Sequence, residues 1–131
     1  MKKIAVTETY EDKQTIIKEG THGEGTYVIM SGKVAINVTV DGILITVAEL
    51  DKGDIFGHMS FIDRQPRSAS AVAIGQVRVG LFDRDYLDTE INKTSEDFRI
   101  ILRALTERLR NTTAKYTNLC VKHYKLTGSI E

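Results

Sequence analysis

The sequence is poor in cysteine and proline, with one residue of each among its 131. The single Cys120 excludes an internal disulfide framework and fits a reducing compartment. The formal net charge is zero, which gives no support to a basic nucleic-acid-binding surface or an acidic tail. No apolar run approaches the roughly 20 residues that span a bilayer, and the N-terminus lacks the apolar core of a signal peptide. We therefore expect a cytoplasmic protein that does not enter a membrane.

The composition that remains is that of an ordinary globular protein. Hydrophobic residues make up 41% of the chain and charged residues 27%, both near the averages for such proteins. A chain of 131 residues is long enough to bury a hydrophobic core without disulfides. We expect one β-rich body with helical additions.

Residues 14–82 show short apolar segments separated by glycines, a pattern typical of a β-sandwich or barrel. Asp41-Gly42 is a strong signal for a two-residue hairpin, and Ser31-Gly32 and Gly75-Gln76 are predicted as tight turns. The expected strands are 14–18, 26–30, 33–40, 43–50, 54–56, 68–74 and 77–82. Alternation of apolar and polar residues predicts an antiparallel roll with these side chains mostly inward: Val34, Ile36, Val38, Ile45, Val47 and Leu81.

The hydrophobic period changes near residue 85, from that of strands to that of helices. Residues 85–91 are predicted to form one or two helical turns, and Ser95 is a capping residue for a longer helix. From there apolar residues recur in a heptad seam: Phe98, Leu102, Leu105, Leu109, Thr112, Tyr116 and Leu119. Such a seam predicts a homodimer through residues 98–119, with Ile100, Ile101 and Ala104 facing the chain's own domain. The alternative is a single amphipathic helix that packs only on that domain.

The segment Phe56-Gly57-His58-Met59-Ser60 through Pro66-Arg67-Ser68-Ala69-Ser70 has the features of an anion site. Gly57 allows the backbone to approach a ligand closely, and the short turn after it offers free N–H groups. Arg67 adds a planar guanidinium, which suits a phosphate better than a point charge. Ser68 and Ser70 supply hydroxyl groups. The segment, which we call the cassette (residues 56–70), therefore predicts a phosphate-binding site.

The cassette and the glycine-spaced strands before it resemble the cyclic-nucleotide-binding domains of catabolite activator protein and Fnr-type regulators. Tyr27 to Gly32 and Gly53 to Gly57 also match that pattern, and the resemblance covers residues 12–130. It implies a jelly-roll, or double-stranded β-helix, followed by a dimerisation helix, with cAMP or another cyclic nucleotide as ligand and no metal. The implied site residues are Gly57, His58, Met59, Ser60, Arg67, Ser68 and Ala69, with Thr112 and Thr113 at the base.

One residue departs from the family pattern. His58 stands where the family has an acidic residue that accepts a hydrogen bond from the ribose 2′-hydroxyl. A neutral imidazole can donate or accept a hydrogen bond, but it cannot reproduce the charge-assisted bond of a carboxylate. The resemblance therefore predicts the fold more firmly than it predicts the ligand.

The resemblance also suggests a division of the chain. Residues 1–94 are predicted to form the cyclic-nucleotide-binding roll with short flanking helices, 95–120 the dimerisation helix and 121–131 a tail. Residues 126–131 resemble the opening of the helix-turn-helix domain of the transcription factors in this family. The chain is then either a stand-alone sensor or a fragment of a regulator, and we do not expect it to bind nucleic acid by itself.

Three interpretations compete. The first is a cyclic-nucleotide sensor, for cAMP above all, that signals through its dimer helix. The second is a degenerate domain that has lost this ligand and serves as a dimerisation or interaction module. The third is a small cupin-like metal enzyme, which needs an H-x-H pair; His22, His58 and His123 are isolated. Since no nucleophile and base or paired carboxylates stand out either, we predict that the chain is not an enzyme.

Overall fold

The chain forms an antiparallel β-roll that is followed by a long helix, as the sequence predicts. The structure is a computed structural model that describes residues 4–129, so the predictions for residues 1–3 and 130–131 lie outside the described part. The strands are β1 (Ile4–Tyr10), β2 (Thr15–Ile17), β3 (Tyr27–Val40), β4 (Ile43–Leu50), β5 (Ile55–Phe56) and β6 (Ser70–Phe82). The helices are α1 (His58–Asp63), α2 (Arg84–Asn92) and α3 (Glu96–Thr127).

Two long strands, β3 and β6, form the centre of the roll. The main path of the sheet runs β1-β6-β3-β4, and β2 and β5 pair with β6 and β3 respectively. All of these pairings are antiparallel, which confirms the predicted topology class. The short connection between β5 and β6 contains α1 and the rest of the cassette, so the cassette is held between two strands that both pair with β3.

Both predicted tight turns inside these long strands are wrong. Ser31-Gly32 lies within β3 and Gly75-Gln76 within β6, where the register between the two strands shifts around Ser31. Gly32 has a φ of 92°, and a Cβ there would lie 2.5 Å from the carbonyl oxygen of Gln76. The glycine thus serves a close backbone approach at a bulge rather than a chain reversal.

The hairpin at Asp41-Gly42 is confirmed. Both residues have positive φ, 52° and 76°, as a two-residue hairpin turn requires, and β3 and β4 pair directly on either side of it. β1 was not predicted: its residues are mostly exposed, so Ile4–Tyr10 lacks the apolar alternation that reveals a half-buried strand.

The core lies inside the roll and includes Ile29, Val34, Val77 and Val79, each at most 1% exposed. Of the side chains predicted to face inward, Val34, Val38 and Ile45 are buried. Ile36, Val47 and Leu81 are half-buried. Ile36 and Val47 pack against the core and also line a cavity, so inward-facing positions serve both the core and a possible ligand.

Helix α3 begins where the sequence predicts and ends later. The Ser95 hydroxyl accepts a hydrogen bond from the Phe98 N–H at 3.1 Å, which confirms the cap. The helix continues to Thr127 and ends at Gly128, whose φ is 74°, so the predicted change to a tail at residue 120 is corrected. No glycine or proline interrupts residues 96–127, and Gly128 is the first conformational stop. No helix within residues 4–129 is long and apolar enough to cross a membrane.

The face of α3 that packs on the roll differs from the one predicted. Ile100 and Ile101 are 49% and 54% exposed, and Ala104 is exposed as well. The buried residues of the helix are instead Thr106, Thr117, Cys120 and Val121. These side chains are small, which lets the helix approach the roll closely, and Cys120 and Val121 pack on Ile45 of β4.

Candidate functional site

A cavity of about 360 Å³ lies between the cassette, the roll and α3, within the range of small-molecule sites. Its walls include most of the predicted site residues: Gly57, His58, Met59, Ser60, Arg67, Ser68, Ala69 and Thr113. Thr112, the remaining predicted residue, does not line it. The folded chain therefore assembles one concave site from segments that are far apart in sequence.

Arg67 is the charged residue in the wall of the cavity, and it is only 8% exposed. Its guanidinium donates to two backbone carbonyls, from Nη1 to Gly57 O at 2.8 Å and from Nη2 to Gly25 O at 3.0 Å. No carboxylate within residues 4–129 forms an ion pair with it. Burial lowers the pKa of Arg67, although an arginine stays protonated at neutral pH. The cavity therefore holds a buried positive charge that no carboxylate of the described residues pairs with directly.

The turn at Gly57 brings the backbone against this guanidinium. Gly57 has a φ of 82°, and a Cβ there would lie 2.6 Å from Gly25 O and 3.1 Å from Arg67 Nη1, so only glycine fits. Gly57 is also the N-cap of α1, without a side-chain cap. The first N–H groups of a helix have no partners within it, and here they lie beside the cavity.

The loop of residues 18–25 holds the other side of the cassette. The Arg67 N–H donates to Thr21 O at 2.9 Å, and the Gly20 N–H donates to Arg67 O at 2.8 Å. The Ser70 hydroxyl accepts from the Glu19 N–H at 2.9 Å, so one of the two predicted cassette hydroxyls already has a structural partner. These bonds fix the backbone of Arg67 before any ligand arrives.

His58 lies at the start of α1 and lines the cavity while much of its surface stays exposed. Desolvation of the ring lowers the pKa of His58, because burial penalises the charged imidazolium. The neutral form is thus favoured, with one donor and one acceptor nitrogen. No carboxylate of the described residues lines the cavity, so the acid that the family pattern places here has no substitute nearby.

The remaining wall is apolar and was not predicted. It consists of Ile17, Ile36, Val47, Ala48, Leu50, Ile55, Phe56, Ala71 and Leu109. Alternation had placed Ile36 and Val47 on the inner face, but nothing in the sequence separates an inward residue of the core from one beside a cavity. Such a wall suits a flat aromatic or aliphatic group.

The two threonines of α3 that were predicted as site residues point in different directions. Thr113 is half-buried and lines the cavity together with Leu109, one turn earlier. Thr112 is exposed and lies with Arg108 and Lys115 on the outer side of the helix. Adjacent helical residues are about 100° apart, so both cannot face one cavity of the same chain.

A partly buried ion pair connects the cassette to α3, and sequence reasoning missed it. Arg110 donates to both carboxylate oxygens of Asp63, from Nε at 2.5 Å and from Nη2 at 3.0 Å. It also donates to Pro66 O at 3.1 Å. Burial alone raises the pKa of Asp63, but the hydrogen bonds from Arg110 and from the Gln65 N–H outweigh it and hold the pKa below its usual value. Forty-seven residues separate the partners, so no local pattern could reveal the pair.

His22, His58 and His123 lie on a loop, on α1 and on α3 respectively. Within the part of the chain that the structure describes, no three His, Cys, Asp or Glu residues could hold a metal ion together.

Comparison with known proteins places these features in context. The family described as "Cyclic nucleotide-binding domain" matches residues 7–94, a range that includes the whole cassette. A CRP-like cAMP-activated global transcriptional regulator of Mycobacterium tuberculosis is 37% identical over 106 residues, which is 80% of this chain and 47% of the regulator. The chain spans about half the length of that curated relative. It spans a smaller share of other curated relatives, such as 37% of the cyclic AMP receptor protein of Thermus thermophilus.

Solved structures agree on the jelly-roll and the helix. An EAL enzyme in its cAMP-bound form matches with a TM-score of 0.80 and 29% identity, over 92% of this chain and 32% of the enzyme. The cGMP-bound form of that enzyme matches with a TM-score of 0.74. The catabolite activator protein of Thermus thermophilus matches with a TM-score of 0.64 and 30% identity, over 87% of this chain and 54% of that one.

Proposed function

Since the chain belongs to the family of cyclic nucleotide-binding domains, we propose that it is a sensor that binds a cyclic nucleotide in the cavity beside Arg67. We also propose that ligand occupancy acts through α3 in a homodimer. The observation that carries the proposal is the buried Arg67 guanidinium, which donates to two carbonyl oxygens and has no ion-pair partner among residues 4–129.

A buried charge is stable only when hydrogen bonds or an opposite charge compensate for its lost hydration. The Gly57 and Gly25 carbonyls provide part of that compensation, and the cyclic phosphate supplies the missing negative charge. The N–H groups at the start of α1 and at Ser68–Ala69 complete the anion site. Arginine suits this role because its planar fork can hold two phosphate oxygens at once.

The purine base then lies against the apolar wall, and Thr113 offers it a hydrogen bond. His58 faces the ribose as a neutral imidazole. cAMP is the first ligand to test, because relatives described by their response to cAMP share 37% identity with this chain and a cAMP-bound structure matches it. cGMP is the second, because the same enzyme also accepts it.

The proposed dimer rests on an exposed apolar stripe of α3, of which one member, Leu109, also borders the cavity. Phe98, Leu105, Leu109, Tyr116 and Leu119 are between 49% and 66% exposed. They recur at heptad spacing, which is the pattern of a helix that pairs with a second helix. A second copy of the chain covers this stripe by self-complementary contact. If one arrangement of the pair binds ligand more tightly, the ligand favours that arrangement by its difference in affinity.

Titration calorimetry tests the ligand. The protein is titrated with cAMP, with cGMP and with 5′-AMP, which keeps the base and ribose but carries an open phosphate. We expect saturable binding of at least one cyclic nucleotide and weaker binding of 5′-AMP. The proposal fails if neither cyclic nucleotide binds at millimolar concentration.

That failure would favour a second candidate function, a dimerisation or interaction module that has lost the ligand. The observation in its favour is His58, together with the lack of any carboxylate in the described cavity wall. Sedimentation velocity at tens of micromolar separates the remaining cases, because a module of this kind stays dimeric without a ligand, whereas a strictly monomeric species contradicts both functions.

A further inference from the structure

We propose that Arg110 is a positioning residue for the phosphate site, and that its pair with Asp63 is the connection through which the cassette and helix α3 hold each other in place. The inference rests on the proposed function and adds a residue that does not touch the ligand. Arg110 does not line the cavity.

The contacts of Arg110 reach three separate points of the cassette. Two hydrogen bonds go to the Asp63 carboxylate at the end of α1, and one goes to the Pro66 carbonyl. A longer contact of 3.4 Å joins Nη2 to the Ser60 hydroxyl. Ser60 itself is 2% exposed and lines the cavity. One guanidinium thus braces α1 and the loop after it from behind.

The bond to Pro66 matters most for Arg67, because the Pro66 carbonyl and the Arg67 N–H belong to the same peptide group. Arg110 Nη1 holds the oxygen of that peptide, and Thr21 O accepts from its N–H at 2.9 Å. A peptide group is rigid and planar, so these two bonds fix the direction from which the Arg67 side chain leaves the backbone. The guanidinium of Arg67 is then already aimed into the cavity.

The pair of Arg110 and Asp63 is largely shielded from solvent, so it can fix the orientation of the two side chains. The side chains of Arg110 and Asp63 are 17% and 13% exposed, unlike the surface ion pair of Lys33 and Asp51, at 59% and 67%. A bidentate pair of arginine and carboxylate fixes orientation as well as distance. Lysine would keep the charge but not that geometry.

The experiment compares Arg110→Gln, Arg110→Lys, Asp63→Asn and the double variant Asp63→Asn/Arg110→Gln with the wild type. Arg103→Gln is the matched control, because Arg103 lies on the same helix and is exposed. Affinity for cAMP, or for cGMP if that is the nucleotide the wild type binds, is measured by calorimetry. Hydrogen exchange at the amides of residues 58–67 is measured without ligand, and a thermal melt checks that each variant is folded.

We expect Arg110→Gln and Asp63→Asn each to weaken binding at least tenfold, and Arg110→Lys to weaken it less. The double variant should be no worse than the weaker-binding single variant, because both changes remove the same interaction. Exchange at residues 58–67 should quicken in Arg110→Gln and stay unchanged in Arg103→Gln.

Affinity within twofold of wild type in a folded Arg110→Gln protein would overturn the inference, as would additive losses in the double variant. If Arg110→Gln does not fold, Arg110→Lys and Asp63→Asn decide by the same criteria. If the wild type binds neither nucleotide, the proposed function fails, and hydrogen exchange then decides alone: unchanged exchange in Arg110→Gln would overturn the brace as well.

Discussion

The two walls of the cavity are built on different principles. The cassette wall is polar backbone, with Gly57, Arg67 and the Gly25 carbonyl held by hydrogen bonds. Among the described residues, the helix wall presents Leu109 and Thr113, and Leu109 also belongs to the exposed apolar stripe of the same helix. Affinity for an anion therefore belongs to the first wall. In the proposed homodimer, the second wall is the one that a partner subunit can move.

The largest expected effect comes from removing the charge of the cassette wall. Arg67→Leu leaves the bound phosphate desolvated and unpaired, and should cost about 2–5 kcal/mol of binding free energy, the range for one partner of a buried charge pair. Arg64→Leu is the control, since Arg64 is exposed and lies three residues earlier. Calorimetry with cAMP measures both, and equal affinities for the two variants would show that the anion binds elsewhere.

The next prediction concerns the outer side of α3. Leu105 is 57% exposed, and burying a leucine is worth roughly 1.5–3 kcal/mol, so Leu105→Asp should dissociate the dimer. Leu44→Asp is a matched control, because Leu44 is 55% exposed but lies on β4. Sedimentation equilibrium should show a weaker dimer only for Leu105→Asp. If Leu44→Asp dissociated the dimer instead, the dimer interface would lie on the roll and not on α3.

A gain of affinity is expected at the mouth of the cavity. His58→Glu restores a charged acceptor for a ribose hydroxyl, and a charge-assisted bond is stronger than a neutral one. cAMP should bind about tenfold more tightly, or ~1.4 kcal/mol. His22→Glu adds the same charge in a loop outside the cavity and should leave affinity unchanged. Weaker binding of His58→Glu would indicate that the imidazole contacts the ligand in another way.

The smallest effect separates the two threonines. Thr113→Val keeps the shape but removes one neutral hydrogen bond to the base, worth about 0.5–1.5 kcal/mol. In a monomeric Leu105→Asp background, Thr112→Val should have no effect, because Thr112 faces away from the cavity of its own chain. A larger loss for Thr112→Val than for Thr113→Val in that background would reverse the assignment.

The sequence predicted what depends on local conformation. Asp41-Gly42 was found because a two-residue hairpin demands positive φ at both positions, and Ser95 because a helix start needs a side-chain acceptor. The same reasoning failed at Gly32, since a glycine required by a close strand crossing looks the same in sequence as a glycine in a turn.

The cassette residues were predicted together because they lie close together in the chain. The apolar wall and the pair of Asp63 and Arg110 depend on how distant segments meet, and a charged residue on a helix ordinarily faces solvent. For the same reason Ile100 and Ile101 were wrongly expected to pack on the roll. The sequence shows that α3 has apolar faces, but it does not show which of them packs on the roll.

Helix α3 is also held to the rest of the chain at two places. Arg110 fixes it to the cassette, and farther along Cys120 and Val121 pack on β4 while Lys125 pairs with Asp41 of the hairpin at 3.0 Å. At 1.5 Å per residue, the helix runs about 26 Å from Arg110 to Thr127, so a tilt of about 5° at the cassette displaces its far end by about 2 Å. Such a tilt must either break the contacts of α3 with β4 and Asp41 or move the β3–β4 hairpin together with the helix. The hairpin also supplies Val47 and Ala48 to the cavity, so movement of the helix would also displace this part of the cavity wall.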